Sequence, residues 1–355
     1  MRFPRRRALC ALVPLAALLV ACGGGDEDSS PTTPEAAATD PAGSGDLSGE
    51  SITLYSGRDE ELIAPLIEQF TADTGIEVEV RYGESAEMGA QLLEEGSETP
   101  ADVFYSQEVG AVGVLAEADL LAELPGDVVD QVDERFQPGD DNQWVGVTGR
   151  SRVIVYNPDL VEAPEGVEEL TGEAYEGKVA IVADNAGFQA FITGFRVSQG
   201  EEAAREWLEG LLANAPVTDI ESNGDVLEAV ENGDVPIGLI NHYYWARDER
   251  QPDLTSQLVF PEGDDPGGLV NATAVAITKG SADDPAARAL VEYLISEEGQ
   301  TYFVEETFEY PVVDGIDDPE GIPALDDLEG PELDLTDLES LEETQALLTE
   351  LGLLS

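Results

Sequence analysis

The sequence predicts an α/β fold arranged as two lobes about a cleft, and three observations carry that reading. The first is a strand–helix–strand–helix–strand opening over residues 51–105, which implies parallel strands with helices on the sheet faces. The second is a later set of strand and helix patterns, set apart from the first by long connections. The third is size. A chain of 355 residues with 42% hydrophobic content fills one large or two mid-sized cores and is not disordered throughout.

Each element has its local reason. Ser51–Tyr55 is a short β-type run. Leu62, Leu66, Ile67 and Phe70 recur on one helical face, Gly75 stops that helix, and Ile76–Val80 alternates as a strand. A second helix covers about Ala86–Glu95 and Pro100–Tyr105 makes a third strand, so the expected sheet is mostly parallel. Trp144–Val147 and Arg152–Tyr156 read as two strands leading away from this unit. Lys178–Val182 is a strand, followed by a turn and a helix from about Gly187. Helices follow at Ala203–Leu212 and Val226–Glu231, the latter closed by Asn232, Gly233 and Asp234. Val235–Ile240 is a buried strand, Leu258–Phe260 an edge strand, Leu269–Ile277 a long Ala/Val strand and Pro285–Ser296 a helix. The acid- and Pro-rich tail from Asp314 to Gly330 should wrap the surface, and Leu341–Leu354 should close the chain as an amphipathic helix. The expected division is residues 51–147 with 269–355 as one lobe and 148–268 as the other.

The first 50 residues read differently. Arg2, Arg5, Arg6 and Arg7 precede an apolar run from Ala8 to Ala21, the pattern of an export signal over residues 1–21. Leu19-Val20-Ala21-Cys22 resembles a bacterial lipobox, which implies cleavage before Cys22 and a lipid on its thiol. Residues 22–50 are rich in Gly, Ser, Pro and acids and read as a flexible tether. The expected product is a protein anchored to a membrane rather than embedded in it.

Charge excludes other classes. Lys+Arg is 16 and Asp+Glu is 76, a formal net charge of −60, and such a field repels nucleic-acid backbones. The acids also keep a surface solvated. Two lysines (Lys178 and Lys279) and one histidine (His242) leave few groups for Schiff-base or imidazole catalysis, and no Gly-x-Ser-x-Gly run occurs. No enzyme is expected. The only cysteines, Cys10 and Cys22, lie near the amino terminus, so there is no disulfide framework.

Ligands of open α/β sheets bind beyond the carboxyl ends of strands. Four segments occupy such places. In the first, Asn241, His242, Tyr243 and Tyr244 follow a buried strand. Paired phenols are either an interlobe aromatic contact or hard anionic ligands for a trivalent cation. A free phenol ionises near about pH 10, and a bound cation removes its proton far lower. In the second, Asp59 follows the first strand as a helix cap or an oxygen ligand. In the third, Gln107 and Glu108 follow Tyr105-Ser106. In the fourth, Asn185, Ala186 and Gly187 open a helix, where free N–H groups make an anion site or an ordinary cap. Asn223 is a polar side chain on a nearby turn.

The motifs Ile52–Arg58, Pro100–Ser106, Thr148–Val153, Ala229–Asp234 and Ile240–Trp245 stand in the order and spacing of one family. From Ile52 to about Val312 the chain resembles the bacterial iron(III)-binding proteins of ABC transporters, the ferric-binding proteins. The resemblance implies a two-lobed periplasmic-binding-protein-like fold with a hinged cleft, a monomer, and delivery of Fe(III) to an ABC permease. It implies that Tyr243 and Tyr244 ligate iron. It further implies that a synergistic phosphate or carbonate is held by Asn185, Ala186 and Gly187 with Asn223 and Asn241. Well-known members carry a His and a Glu where this chain has Asp59 and Gln107. Asp59 still offers a carboxylate as third ligand. Gln107 offers only a neutral carbonyl, with Glu108 one residue out of register.

Overall fold

Strand β1 (Ser51–Ser56) turns Ile52, Leu54 and Tyr55 inward and pairs in parallel with β2 (Glu77–Tyr82) and β3 (Val103–Ser106). The computed structural model containing these strands describes residues 46–139, 142–331 and 333–354. The expected signal, Cys22 and the tether up to residue 45 lie outside the described residues. Helix α1 (Glu60–Thr74) buries Leu62, Ile63, Leu66, Ile67 and Phe70, the face marked by the periodicity. Gly75 ends it at φ 74°, a conformation that suits a residue without Cβ. After α2 (Ser85–Glu95) comes α3 (Val109–Glu117), whose first five residues and Leu115 are all buried. With so little polar face, α3 shows no amphipathic period in the sequence. A short turn, α4 (Gly126–Val129), leads on.

Strand β4 (Val145–Tyr156) is one continuous strand of 12 residues, not the two expected. Thr148-Gly149-Arg150-Ser151 has turn-like composition, yet it is buried in a ladder, and the chain absorbs the misfit as an irregularity between Gly146 and Thr148. Gly149 fits closely there, because a Cβ would lie 3.2 Å from both the Phe136 ring and Tyr310 and would push them back by a few tenths of an ångström. The rest of the chain forms β5 (Val179–Ala180), α5 (Ala186–Gln199), α6 (Glu201–Ala213), α7 (Asn223–Asn232) and β6 (Ile237–Asn241). Then come α8 (His242–Ala246), β7 (Gln257–Val259), β8 (Val270–Ile277), α9 (Pro285–Leu294), α10 (Glu297–Tyr302) and α11 (Leu341–Glu350).

The strand order is β2-β1-β3-β8-β4-β6-β5, with β7 also on β4. The β1–β2, β1–β3 and β5–β6 pairs are parallel, but β3–β8, β4–β8, β4–β6 and β4–β7 are antiparallel. The sheet is therefore mixed, which corrects the mostly parallel expectation. The reason is that β4 leaves the first unit and β8 returns beside it, a pairing that needs no crossover helix.

Two lobes result. The first core gathers Ile52–Val147 with Ala272–Leu338, and the second lines the two faces of the β4–β6–β5 end of the sheet. The closing segment belongs to both. Leu335 and Leu338 pack in the first core, but Leu347 and Leu348 of α11 pack in the second. Thr344 Oγ1 lies 2.7 Å from Thr193 Oγ1, and Arg196 Nη1 donates to Ser340 O at 2.8 Å and to Thr344 Oγ1 at 2.7 Å. Helix α11 therefore departs from the expected division, because its apolar face meets α5. The chain crosses between cores three times, in β4, ahead of β8, and just before α11. At the other end Leu47, within the expected tether, packs on the first core, so its last residues belong to the folded unit. Among the described residues no helix is long and apolar enough to cross a membrane.

Candidate functional site

A cleft of about 500 Å³ opens at the strand ends where ligands of such sheets bind. The first lobe contributes Asp59 after β1, Glu84 and Ser85 after β2, and Gln107 and Glu108 after β3. The second contributes Asp184, Asn185 and Ala186 ahead of α5, Asn223 at the start of α7, and Tyr244 after β6. Leu341 and Gln345 of the closing segment line one side. Carboxylates dominate the lining: Asp59, Glu84, Glu87, Glu108, Asp184 and Glu221, with no lysine or arginine among its described residues. Burial and the neighbouring charges of Asp59, Glu87 and Asp184 raise the Glu84 carboxyl above its usual range. Asp184 belongs to the opposite lobe, so like charges face each other across the opening.

Helix α8 begins directly where β6 ends and sets Tyr243 and Tyr244 side by side. Their rings stack with centroids 4.6 Å apart at 28°. Tyr243 is fully buried, and its hydroxyl meets Gln107 Nε2 of the other lobe at 3.2 Å. The Gln107 amide can be oriented only one way. Its Oε1 lies 2.5 Å from Arg58 Nη1, and a guanidinium has only donors, so the oxygen faces Arg58 and the NH₂ group faces Tyr243. Arg58 is itself buried and pairs with Glu309 at 2.5 Å, while Glu309 also accepts from Thr148 and Thr307. Burial opposes the charge on Arg58, but Glu309, Tyr105, Tyr243 and Asp59 outweigh it and hold the guanidinium above its ordinary value. The Tyr244 phenol is raised well above its ordinary value, first by Tyr243 beside it, then by burial. Arg247 lies over both rings, 5.4 Å and 5.0 Å from their centroids.

Asp59 stands at the cap position of α1 but makes no capping hydrogen bond with its side chain, which leaves an exposed carboxylate at the cleft. Gln107 does not present the free carbonyl that the sequence suggested, because Arg58 takes that oxygen. Glu108 is buried, with its carboxylate over the amides of Gly110 and Ala111 at the start of α3. Burial raises its carboxyl, with Arg150 and those two amides acting against the rise. Among the described residues no three His, Cys, Asp or Glu side chains converge on a metal site.

The five anion-site residues divide between two places. Asn185, Ala186 and Asn223 line the cleft. Gly187 and Asn241 instead bound a smaller space behind the start of α5. Asn185 caps its own helix: Oδ1 accepts from Gly187 N at 3.0 Å, Phe188 N at 3.3 Å and Asn223 Nδ2 at 3.0 Å. In this arrangement the Gly187 amide, expected to serve an anion, is already satisfied.

The only histidine has a structural place. Ser151 N–H donates to His242 Nδ1 at 3.1 Å, so the proton of the neutral ring sits on Nε2 and is given to Phe308 O at 2.9 Å. Phe308 holds a left-handed φ of 57°, a costly conformation for a bulky residue. Burial pushes the imidazole down to about 4. The unfolded chain takes up this proton near its ordinary value of 6.5, and the folded chain resists until about 4. The histidine's contribution is thus present above pH 6.5 and is lost as pH falls through that window, up to about 3 kcal/mol. The melting temperature of the parent should therefore fall more steeply from pH 7 to pH 4 than that of His242→Gln. Parallel curves would show that His242 carries no such linkage.

Residues 65–329 match the family described as bacterial extracellular solute-binding protein. The chain belongs to that family. Among relatives of this solute-binding protein, the Fe(3+)-binding periplasmic protein of Serratia marcescens is 32% identical over 313 residues, covering 86% of this chain and 91% of that one. The major ferric iron-binding protein of Neisseria meningitidis serogroup B is 30% identical, covering 85% and 93%. The solved structure of iron-bound HitA from Pseudomonas aeruginosa superposes with a TM-score of 0.80 at 31% identity, covering 85% of this chain and 99% of that one. The two-lobed fold of the solute-binding protein is thus shared with proteins of the same architecture.

Sequence reasoning missed Arg58 and Glu309 as supports of the tyrosine pair. Arg58 lies inside a quoted motif, but a lone arginine after a strand reads as exposed. Glu309 is more than two hundred residues away in a run of acids, and nothing local distinguishes it.

Proposed function

We propose that this solute-binding protein captures ferric iron outside the cytoplasm and delivers it to an ABC permease. The observation that carries the reading is the stacked Tyr243–Tyr244 pair at the end of β6, with Tyr244 lining a cleft that holds six carboxylates and Tyr243 buried directly behind it. Phenolate and carboxylate oxygens are hard donors suited to a hard trivalent ion. The raised Tyr244 phenol keeps its proton until a cation replaces it, so the ion itself supplies the charge that makes the ligand. Tyr243, Tyr244 and Asp59 would then neutralise Fe(III) with three anionic oxygens. The acidic lining favours a cation over a free anion. The named ferric relatives support the same cargo.

Gln107 acts in this reading by orienting Tyr243, and Glu108 stays with α3. A synergistic phosphate or carbonate would enter at the Ala186 amide and Asn223, after Asn185 releases its cap, with Gly187 and Asn241 behind. One lobe comprises residues 51–147 and 269–340, the other 148–268 with α11. The working form is a monomer, held at the membrane by lipid on Cys22 after loss of residues 1–21, and its role is transport rather than catalysis.

The test is a titration of apoprotein with ferric nitrilotriacetate, with and without phosphate or bicarbonate. A visible phenolate-to-iron absorption band that chelation removes is expected. Absence of the band under every condition sinks the ferric reading in favour of the same fold binding another anion or chelate. Equal affinity with and without added anion removes Asn185, Ala186, Gly187, Asn223 and Asn241 from the site. Asp59→Ala is expected to weaken binding more than Gln107→Ala, because a carboxylate adds charge to the ion while the amide only positions a ligand, an effect of about 10–100-fold. A reversed ranking would mean that Asp59 stays outside the coordination sphere.

A further inference from the structure

Behind the start of α5 lies a second cavity of about 10 Å³, room for one small species. Arg150 and Arg152 of β4 bound it, with Asn241, Asn271 of β8 and Gly187. The two arginines are only 2% and 3% exposed, and among the described residues neither forms an ion pair. Buried guanidinium groups without a counter-charge are rare and costly, and in a chain with 76 acids their isolation is not for want of carboxylates. Arg150 acts on Glu108, but that carboxylate is turned to the α3 amides.

Hydrogen bonding leaves the same gap. Arg152 gives Nη1 to Asn241 Oδ1 at 3.3 Å and Nη2 to Leu239 O at 2.7 Å, and Arg150 Nη2 reaches Ala272 O at 3.4 Å. Arg150 Nε and Nη1, Arg152 Nε and Asn271 Nδ2 have no partner. The unmet groups are therefore all donors. A water molecule accepts two hydrogen bonds, fewer than the four unmet donors, and leaves the two buried positive charges without a counter-charge. A spherical anion accepts from every direction and supplies the missing charge.

We propose that the cavity between Arg150, Arg152, Asn241 and Asn271 is a halide site, an internal counter-ion seated where β4 and β8 cross between the lobes. Burial, with the like charge of Arg150 and against the pull of Tyr243 and Tyr244, lowers Arg152 to about 9, and a halide there would favour its charged form. The site needs no iron, although Gly187 and Asn241 border both this cavity and the place proposed for the synergistic anion.

Crystals of the apoprotein grown in sodium bromide and measured at the bromine absorption edge test the site directly. An anomalous peak within hydrogen-bonding reach of Arg150, Arg152 and Asn271 is expected, and a cavity without one overturns the proposal. In solution at fixed ionic strength, replacing gluconate by chloride or bromide should raise the melting temperature by roughly 2–4 °C and then saturate. Asn271→Asp keeps the oxygen that accepts the Ala272 N–H and places a fixed negative oxygen where the orphan amide stood. It is expected to abolish both the bromide peak and the halide-specific rise. An undiminished rise in Asn271→Asp also overturns the proposal, and if that variant does not fold, the bromide map of the parent decides alone.

Discussion

Tyr243→Phe and Tyr244→Phe are each expected to weaken ferric binding by more than about 100-fold, beyond the range seen when only an outer-shell partner of a metal is lost. Each change deletes one oxygen and leaves the stacked rings, so the core around α8 keeps its packing. Loss of the visible band with the fold retained is the expected pair of results. The two variants should also differ. Tyr243 is fully buried and held by Gln107, so its loss orphans the Gln107 NH₂ group and lowers stability somewhat. Tyr244 lines the cleft, and its loss should leave stability almost untouched. Parent-like ferric affinity in both variants would falsify the metal role and leave the pair as an interlobe contact.

The second large effect concerns the support beneath those rings. Arg58→Met is expected to destabilise the protein by about 3–5 kcal/mol, because it strands the Glu309 carboxylate in a fully buried position. It also frees the Gln107 amide to rotate, so iron affinity should fall although no ligand has changed. The double variant Arg58→Met with Glu309→Gln removes both charges and should recover most of the stability but not the affinity. Chemical denaturation resolves the first half and the ferric titration the second. A double variant no more stable than Arg58→Met would show that packing, not the buried charge, holds this region.

Much of this architecture is legible in the residues. The βαβαβ opening, the Gly75 stop and the buried strand before the tyrosines follow from periods of two and 3.6 and from residues with restricted or unusual backbone freedom. The strand-end positions of Asp59, Gln107, Asn185 and Tyr244 were legible for the same reason, and all four line the cleft. What stayed hidden depends on distant partners. Thr148–Ser151 looks like a turn until β8 covers it. Helix α3 is apolar almost throughout and shows no period. The self-capping of Asn185 depends on Asn223, which arrives from another helix. Four buried arginine and glutamate positions, Arg58, Arg150, Arg152 and Glu309, go against the usual exposure of charged residues, and only tertiary contacts identify them.

The segment from Leu335 to Glu350 gives the molecule a kinetic character of its own. Two crossings of backbone between rigid bodies suffice for a swing. A third, packed on α5 through Thr344, Leu347 and Leu348, would have to give up these contacts as well for the lobes to swing freely. The fraction of time spent ajar then depends on how well a helix of 10 residues holds its seat. How long a solute stays bound would then depend on Leu347 and Leu348, on a helix whose other residues, Leu341 and Gln345, border the cleft. Natural variation at those leucines could retune the dwell time of a solute without altering a single donor oxygen.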